Sequence, residues 1–206
     1  PKGIEELCNA TLECSDYAKQ INKENRDRMF LEQKRFSANA LVAGATISAV
    51  VVGAVPLSFA DSLILIPLET GMTKGIFKIY DVKFSNELIS AIVGSALITN
   101  VAKAALAQLK TIPNIAASVI NAVVAGLFVG MFGEEVIAVS ENIYKENLDP
   151  TKIDEIVNFI IDKTKNNPII GSVVSYLESN SDKLKGKDAK TIFNNVQKIV
   201  IKSVKK

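Results

Sequence analysis

The sequence predicts an all-α fold, a multi-helix bundle with apolar, small-residue-rich central helices, and three observations predict it. Apolar residues make up 48% of the 206 residues but aromatics only 6%, with no Trp, so the excess is Ala, Val, Ile and Leu. That composition suits close helix packing better than a β-sandwich, which draws on aromatic and β-branched side chains. Residues 36–60 and 111–133 contain no charge, and small residues recur in them every four positions. After residue 149 the apolar residues follow the i, i+3, i+4, i+7 spacing of amphipathic helices.

Residues 3–20 read as a helix with an apolar stripe at Ile4, Leu7, Thr11 and Leu12. Residues 22–35 are dominated by charge and read as a solvated helical connector. From Phe36 the composition changes abruptly. Ala40, Gly44 and Ser48 fall four apart, and so do Ala45, Ala49 and Gly53, giving two small-residue ridges that let another backbone approach closely. Pro56 ends this helix, because proline disfavours helical geometry in the residue before it. Asp61 is placed to cap the next helix, residues 62–80, with a kink expected at Pro67. Asp81–Val82–Lys83–Phe84 is a link and Ser85 an N-cap for a third helix over residues 86–110. Pro113 opens a fourth helix reaching about residue 147, in which Ser118, Ala122, Gly126 and Gly130 repeat the four-residue ridge.

The tail is ordinary amphipathic helix. Asp149–Pro150 reads as N-cap plus first helical residue before Ile153, Ile156, Val157, Ile160 and Ile161. Asn167–Pro168 repeats that signal before Ile169, Ile170, Val173, Val174 and Leu177. Residues 180–187 read as a loop holding Gly186, and a last helix carries Phe193, Val196, Ile199, Val200 and Val204. The chain thus divides into three parts: residues 1–35, an apolar bundle over residues 36–147, and an amphipathic tail over residues 148–206 packed on it.

Function classes are narrowed mainly by exclusion. The chain has no His, which removes His-based general bases, nucleophile partners and metal ligands. Cys8 and Cys14 lie six apart in a helix and fit no zinc pattern. A net charge of +2 speaks against nucleic acid. Gly71–Met72–Thr73–Lys74–Gly75 lacks the spacing and the Lys-Ser/Thr end of a phosphate-binding loop and reads instead as a packing ridge. Asn25 stands where a guanine-reading Asn-Lys-x-Asp needs its acid. Glu134, Glu135 and Glu141 close an apolar helix and have no partner motif. No catalytic, cofactor or metal residue is assigned.

Both uncharged runs are long enough to cross a bilayer, which takes about 20 apolar residues. Their Ala, Gly, Ser, Thr and Asn content, Pro56 and the charges Asp61, Glu69, Lys74 and Lys78 favour a buried bundle. A membrane-inserting hairpin is the alternative. Candidate packing or membrane-contact residues are Gly44, Ser48, Gly53, Pro56, Asp61, Gly126 and Gly130. The last helix carries Lys198 and Lys202 and ends on Lys205 and Lys206, and these lysines are candidates for contact with an anionic surface.

Two stretches carry a family resemblance. Gly3–Ile4–Glu5–Glu6–Leu7 with Thr11 resembles the helix that closes a bacterial Era-like GTPase domain. The residues beyond the charged connector are similar to the uncharacterised helical domain C-terminal to such GTPases. They share the Pro-centred junction Ala54–Val55–Pro56–Leu57–Ser58–Phe59–Ala60–Asp61, then Gly71–Met72, Ile79–Tyr80, the step Leu109–Lys110–Thr111–Ile112–Pro113, and the Gly-rich helix up to Gly133. The resemblance covers residues 3–144 and nothing beyond Asp149. By analogy the domain compares with helical regions of immunity-related and dynamin-like GTPases. The resemblance implies a GTP-binding parent whose nucleotide domain, with its GTP and Mg, precedes Pro1. The chain itself, with no cofactor, is expected to be a non-enzymatic output domain. Its expected partners are its own GTPase domain, further copies of itself and an anionic membrane, in the cytoplasm or at the inner membrane. A membrane-inserting, pore-forming effector and a protein-binding adaptor are the alternatives.

Overall fold

The computed structural model describes residues 2–54, 65–94, 115–165 and 169–204. Among them lie eight helices packed as a bundle and no strand: α1 (Lys2–Gly53), α2 (Leu65–Ile79), α3 (Asn86–Val93), α4 (Ala117–Tyr144), α5 (Ile153–Lys165), α6 (Ile169–Ser179), α7 (Ser181–Leu184) and α8 (Ala189–Val204). The chain divides into two compact units, Pro1–Ser37 and Ala38–Lys206. The first is helical throughout its described length, and its surface mixes charge (Asp27, Arg28, Glu32) with exposed Tyr17, Met29 and Phe30. A local hydrogen bond from the Arg28 guanidinium to Asn25 Oδ1, 3.3 Å, is typical of a solvated helix face.

The second unit is built around α4. Eighteen of its 28 residues are buried, on all sides of the helix, because it has no polar stripe to turn toward water. Helices α2, α5 and α8 pack directly on it, α3 bridges α2 and α5, α6 packs on α8, and α7 packs on α6. The amphipathic spacing of the tail sets which residues turn inward. Ile156 and Ile160 of α5, Val173 and Leu177 of α6, and Ile192, Phe193 and Val196 of α8 are buried. The charges Asp154, Glu155, Lys190 and Lys198 stay exposed. Each such aliphatic or aromatic side chain contributes about 1.5–3 kcal/mol on burial.

Local chemistry fixes the helix ends and corrects several expectations. Ser85 does cap α3: its Oγ accepts the Leu88 N–H at 3.0 Å. That helix ends at Val93 rather than near residue 110, with Gly94 donating its N–H to Ser90 O at the C-cap. Pro67 falls in the first turn of α2, where its missing N–H has no intrahelical partner to lose. The α2 C-terminus closes through Asp81 at φ 57, with Val82 N–H reaching back to Phe77 O at 2.9 Å. Asp149–Pro150 does not start a helix. Asp149 Oδ1 accepts both the N–H and the hydroxyl of Thr151, at 2.8 and 2.7 Å, which folds a turn and delays α5 to Ile153. Residues 180–187 are not all loop, since Leu184, buried at 4% exposure, anchors the short helix α7. Gly186 then turns the chain at φ +73. Asp188 caps α8 by accepting Thr191 N–H and hydroxyl at 2.9 and 2.7 Å. The expected features at Pro56, Asp61, Pro113 and Asn167–Pro168 lie outside the described residues.

The second unit includes the last turns of α1, residues 38–53, which run antiparallel to α4. A β-carbon on Gly133 would stand 2.6 Å from both Val42 γ-methyls, one on Gly126 2.5 Å from Val50 Cγ2, and one on Gly130 3.3 Å from Thr46 Oγ1. The two helices therefore approach closely enough to leave no room for a β-carbon at Gly133 and Gly126, and little at Gly130. Gly75 of α2 likewise receives Leu41, where a β-carbon would fall 2.5 Å from Cδ2.

Gly133→Ala should lower stability by about 1–3 kcal/mol through overpacking, and Val42→Ala in the same chain should restore part of that loss. Gly44→Ala, with nothing within 4 Å of its β-carbon, should raise stability by about 0.5–1 kcal/mol through helix propensity alone. Urea unfolding of the three variants checks both signs.

Candidate functional site

The close seam uses only one side of the α1 segment. Ala38, Val42, Ala45, Thr46, Ala49 and Val50 are buried on it. The opposite side carries Asn39, Ala40, Ala43, Gly44, Ile47, Ser48 and Val51, and all seven are exposed. Helical geometry makes these two groups opposite faces, since residues three and four apart stack on one side. Ile47 is 60% and Val51 65% exposed, large values for aliphatic side chains. Ser48 adds no free donor to this outer face, because its hydroxyl bonds Gly44 O at 3.0 Å. The result is an uncharged surface in which Ile47 and Val51 stand among small residues.

The two ridges read from the sequence thus part company. Ala45, Ala49 and Gly53 face protein, and a β-carbon on Gly53 would lie 2.9 Å from the Ala122 and Asn121 backbone. Gly44 and Ser48 face outward. Gly126 and Gly130 meet α1, while Gly133, outside the expected ridge, makes a closer approach than Gly130 does. Of the α2 pair, Gly75 packs and Gly71 is exposed. Lys198 is exposed on α8 and Lys202 lies within that helix, whereas Pro56, Asp61, Lys205 and Lys206 fall outside the described residues. Phe193 and Val196 of the α8 stripe are buried by packing, and Phe193 sits against Gly126, 2.6 Å from where its β-carbon would be.

Sequence reasoning missed the buried polar groups of α2 and α4. The Tyr80 hydroxyl donates to Glu141 Oε1 at 3.0 Å, with both residues buried, and Tyr144 packs its edge against Tyr80 at 6.4 Å. This pair ties the end of α2 to the end of α4. Glu69 is buried on the inward face of α2, one turn before Thr73, whose hydroxyl has no hydrogen-bond partner. Burial pushes the Glu69 carboxyl up from its ordinary 4.5 to about 7. The available signal was spacing: Glu69 shares a helix face with Met72, Thr73 and Ile76, all of them buried. Among the described residues no group of three or more His, Cys, Asp or Glu is placed to hold a metal ion.

Because folded Glu69 keeps its proton to about pH 7 and the unfolded chain releases it near 4.5, folding takes up a proton between those values. Its contribution is therefore fully favourable below about pH 4.5 and is lost as pH rises through 7, by about 3 kcal/mol. Glu69→Gln should match the parent chain at pH 4 and exceed its stability by about that amount at pH 8, as read by denaturant unfolding at the two pH values.

Comparison with curated proteins finds no match, and comparison with solved structures finds none. Against protein families, residues 17–166 match the one described as "Domain of unknown function (DUF697)". The match runs from within α1 through α5, so it takes in the glycine seam, the outer face of α1 and the Tyr80–Glu141 tie. With most of its length matched, the chain belongs to the DUF697 family.

Proposed function

We propose that this chain is the non-enzymatic helical output domain of a GTP-binding protein and that it acts by docking through the outer face of α1. The observation that carries the reading is the exposed, uncharged surface from Asn39 to Val51, set on a helix whose other side is fixed to the bundle core. The GTP-binding parent is supported by the resemblance of Gly3–Ile4–Glu5–Glu6–Leu7 and Thr11 to a GTPase closing helix. Docking means self-association or attachment to a membrane at the cytoplasmic side.

The membrane arm has its own support. The stretches Asp27–Gly53 and Ala117–Tyr144 are each long and apolar enough to cross a bilayer. Only 33% of the first window is buried in protein, against 78% of the second. A core helix of a soluble bundle accounts for α4 as it stands; it does not account for the bare face of α1. An adaptor role for the apolar faces of the tail is the weaker reading, because Ile156, Ile160, Val173, Leu177, Phe193 and Val196 are already buried.

Ile47→Glu together with Val51→Glu should leave thermal stability nearly unchanged, as both side chains are exposed. The double variant should lose self-association in light scattering after gel filtration, and lose co-sedimentation with anionic vesicles. Retention of both by an equally stable double variant would sink the docking reading.

A further inference from the structure

The two stretches long enough to cross a bilayer are also the two that share the glycine seam. Their register is antiparallel: Val42 meets Gly133, Thr46 meets Gly130, Val50 meets Gly126, and Gly53 meets Ala122. That register sets uncharged sequence beside uncharged sequence, because no charge occurs in residues 36–60 or 111–133. Contacts between small and β-branched residues hold helices together in lipid as well as in water, since they rest on close van der Waals packing rather than on expulsion of water. The seam buries the small residues of α4. Its large ones, among them Leu127, Phe128, Met131 and Phe132, are covered by other parts of the bundle. Large aliphatic and aromatic side chains are those that gain from a hydrocarbon environment. The helices that pack on α4 include α5 and α8, which are amphipathic and carry exposed charge, and α2, which carries Glu69. These are poor candidates to enter lipid.

We infer that the unit that meets a lipid bilayer is the α1–α4 pair, entering as a preformed antiparallel pair with its glycine seam intact while α2, α5 and α8 move aside. This rests on the membrane arm of the proposed function and names which elements stay together.

The chain has no Trp, so a single introduced Trp reports its own surroundings without background. Two probes are used separately in the full chain, Val51→Trp on the outer face of α1 and Phe128→Trp on the covered part of α4. Each is combined with Thr46→Cys and Gly130→Cys, with Cys8 and Cys14 changed to Ser. The Thr46 hydroxyl lies 3.3 Å from where a Gly130 β-carbon would be, within reach of a disulfide after small adjustment. Emission is recorded with anionic phosphatidylglycerol vesicles whose acyl chains are brominated, before and after reduction. Loss of most of the emission at both positions, in the disulfide-linked form as well as the reduced one, is the expected result. Quenching at both positions only after reduction would overturn the inference, since the helices would then have to separate. Quenching at Val51→Trp alone would also overturn it, leaving α1 as a surface contact. No quenching at either position in any form would remove the membrane arm itself, and the inference with it.

Discussion

The approach of α1 to α4 is the constraint on which the rest of the bundle depends. Val42, Thr46 and Val50 sit over Gly133, Gly130 and Gly126, and the spacing leaves no room for a β-carbon at two of the three glycines. Glycine in a helix interior costs about 0.5–1 kcal/mol relative to alanine, so three within eight residues require compensation. It comes from the β-branched side chains of α1, whose stiff rotamers fill the groove with little entropy left to lose. Aromatic rings fill the core around the seam: Phe77, Tyr80, Phe128, Phe132 and Phe193 are all buried.

The position of α4 explains the layers around it. A helix apolar on every side has to be covered on every side, and the chain supplies α1, α2, α5 and α8 for that purpose. The tail is therefore part of the core rather than an appendage. The polar groups buried within this shell lie where helices end or pair. The Tyr80–Glu141 hydrogen bond closes the α2–α4 contact. Ser140 answers its own burial by donating to Val136 O at 2.7 Å. Glu69 and Glu135 are the exceptions, carboxyls that burial pushes up to about 7, Glu69 at the expense of stability above that pH.

The helical class, the uncharged runs and the four-residue ridges were legible in the sequence, because each is a periodicity and periodicity survives without coordinates. Which ridge meets protein was not. Ala40–Gly44–Ser48 and Ala45–Ala49–Gly53 have the same spacing and nearly the same composition, and only the position of α4 separates them. Helix starts were misplaced where one side chain can serve two motifs. Asp149 makes the hydrogen bonds of a cap, yet it closes a turn and moves the helix on to Ile153. The short helix α7 left a small trace in Leu184, an apolar residue in a polar segment. Glu69 was hidden because a charge on a short helix that also carries Lys74 and Lys78 reads as solvated until its neighbours on the same face are seen to be Met72, Thr73 and Ile76.

A helix with an apolar face on each side is unusual only if one face is left bare. Here four of the seven residues on the bare face, Ala40, Ala43, Gly44 and Ser48, are small, which limits the exposed apolar area. Ile47 and Val51 break that pattern: at 60% and 65% exposure they keep apolar surface in water on a rigid, well-anchored helix. Scattered exposed aliphatics need no explanation, but two that lie one turn apart beside a Gly–Ser groove form a continuous surface. Gly44 adds nothing to packing and costs helix stability, so stability alone does not account for it. The docking proposed above asks for close approach on this side of α1, and it would give Gly44, Ile47 and Val51 one shared reason.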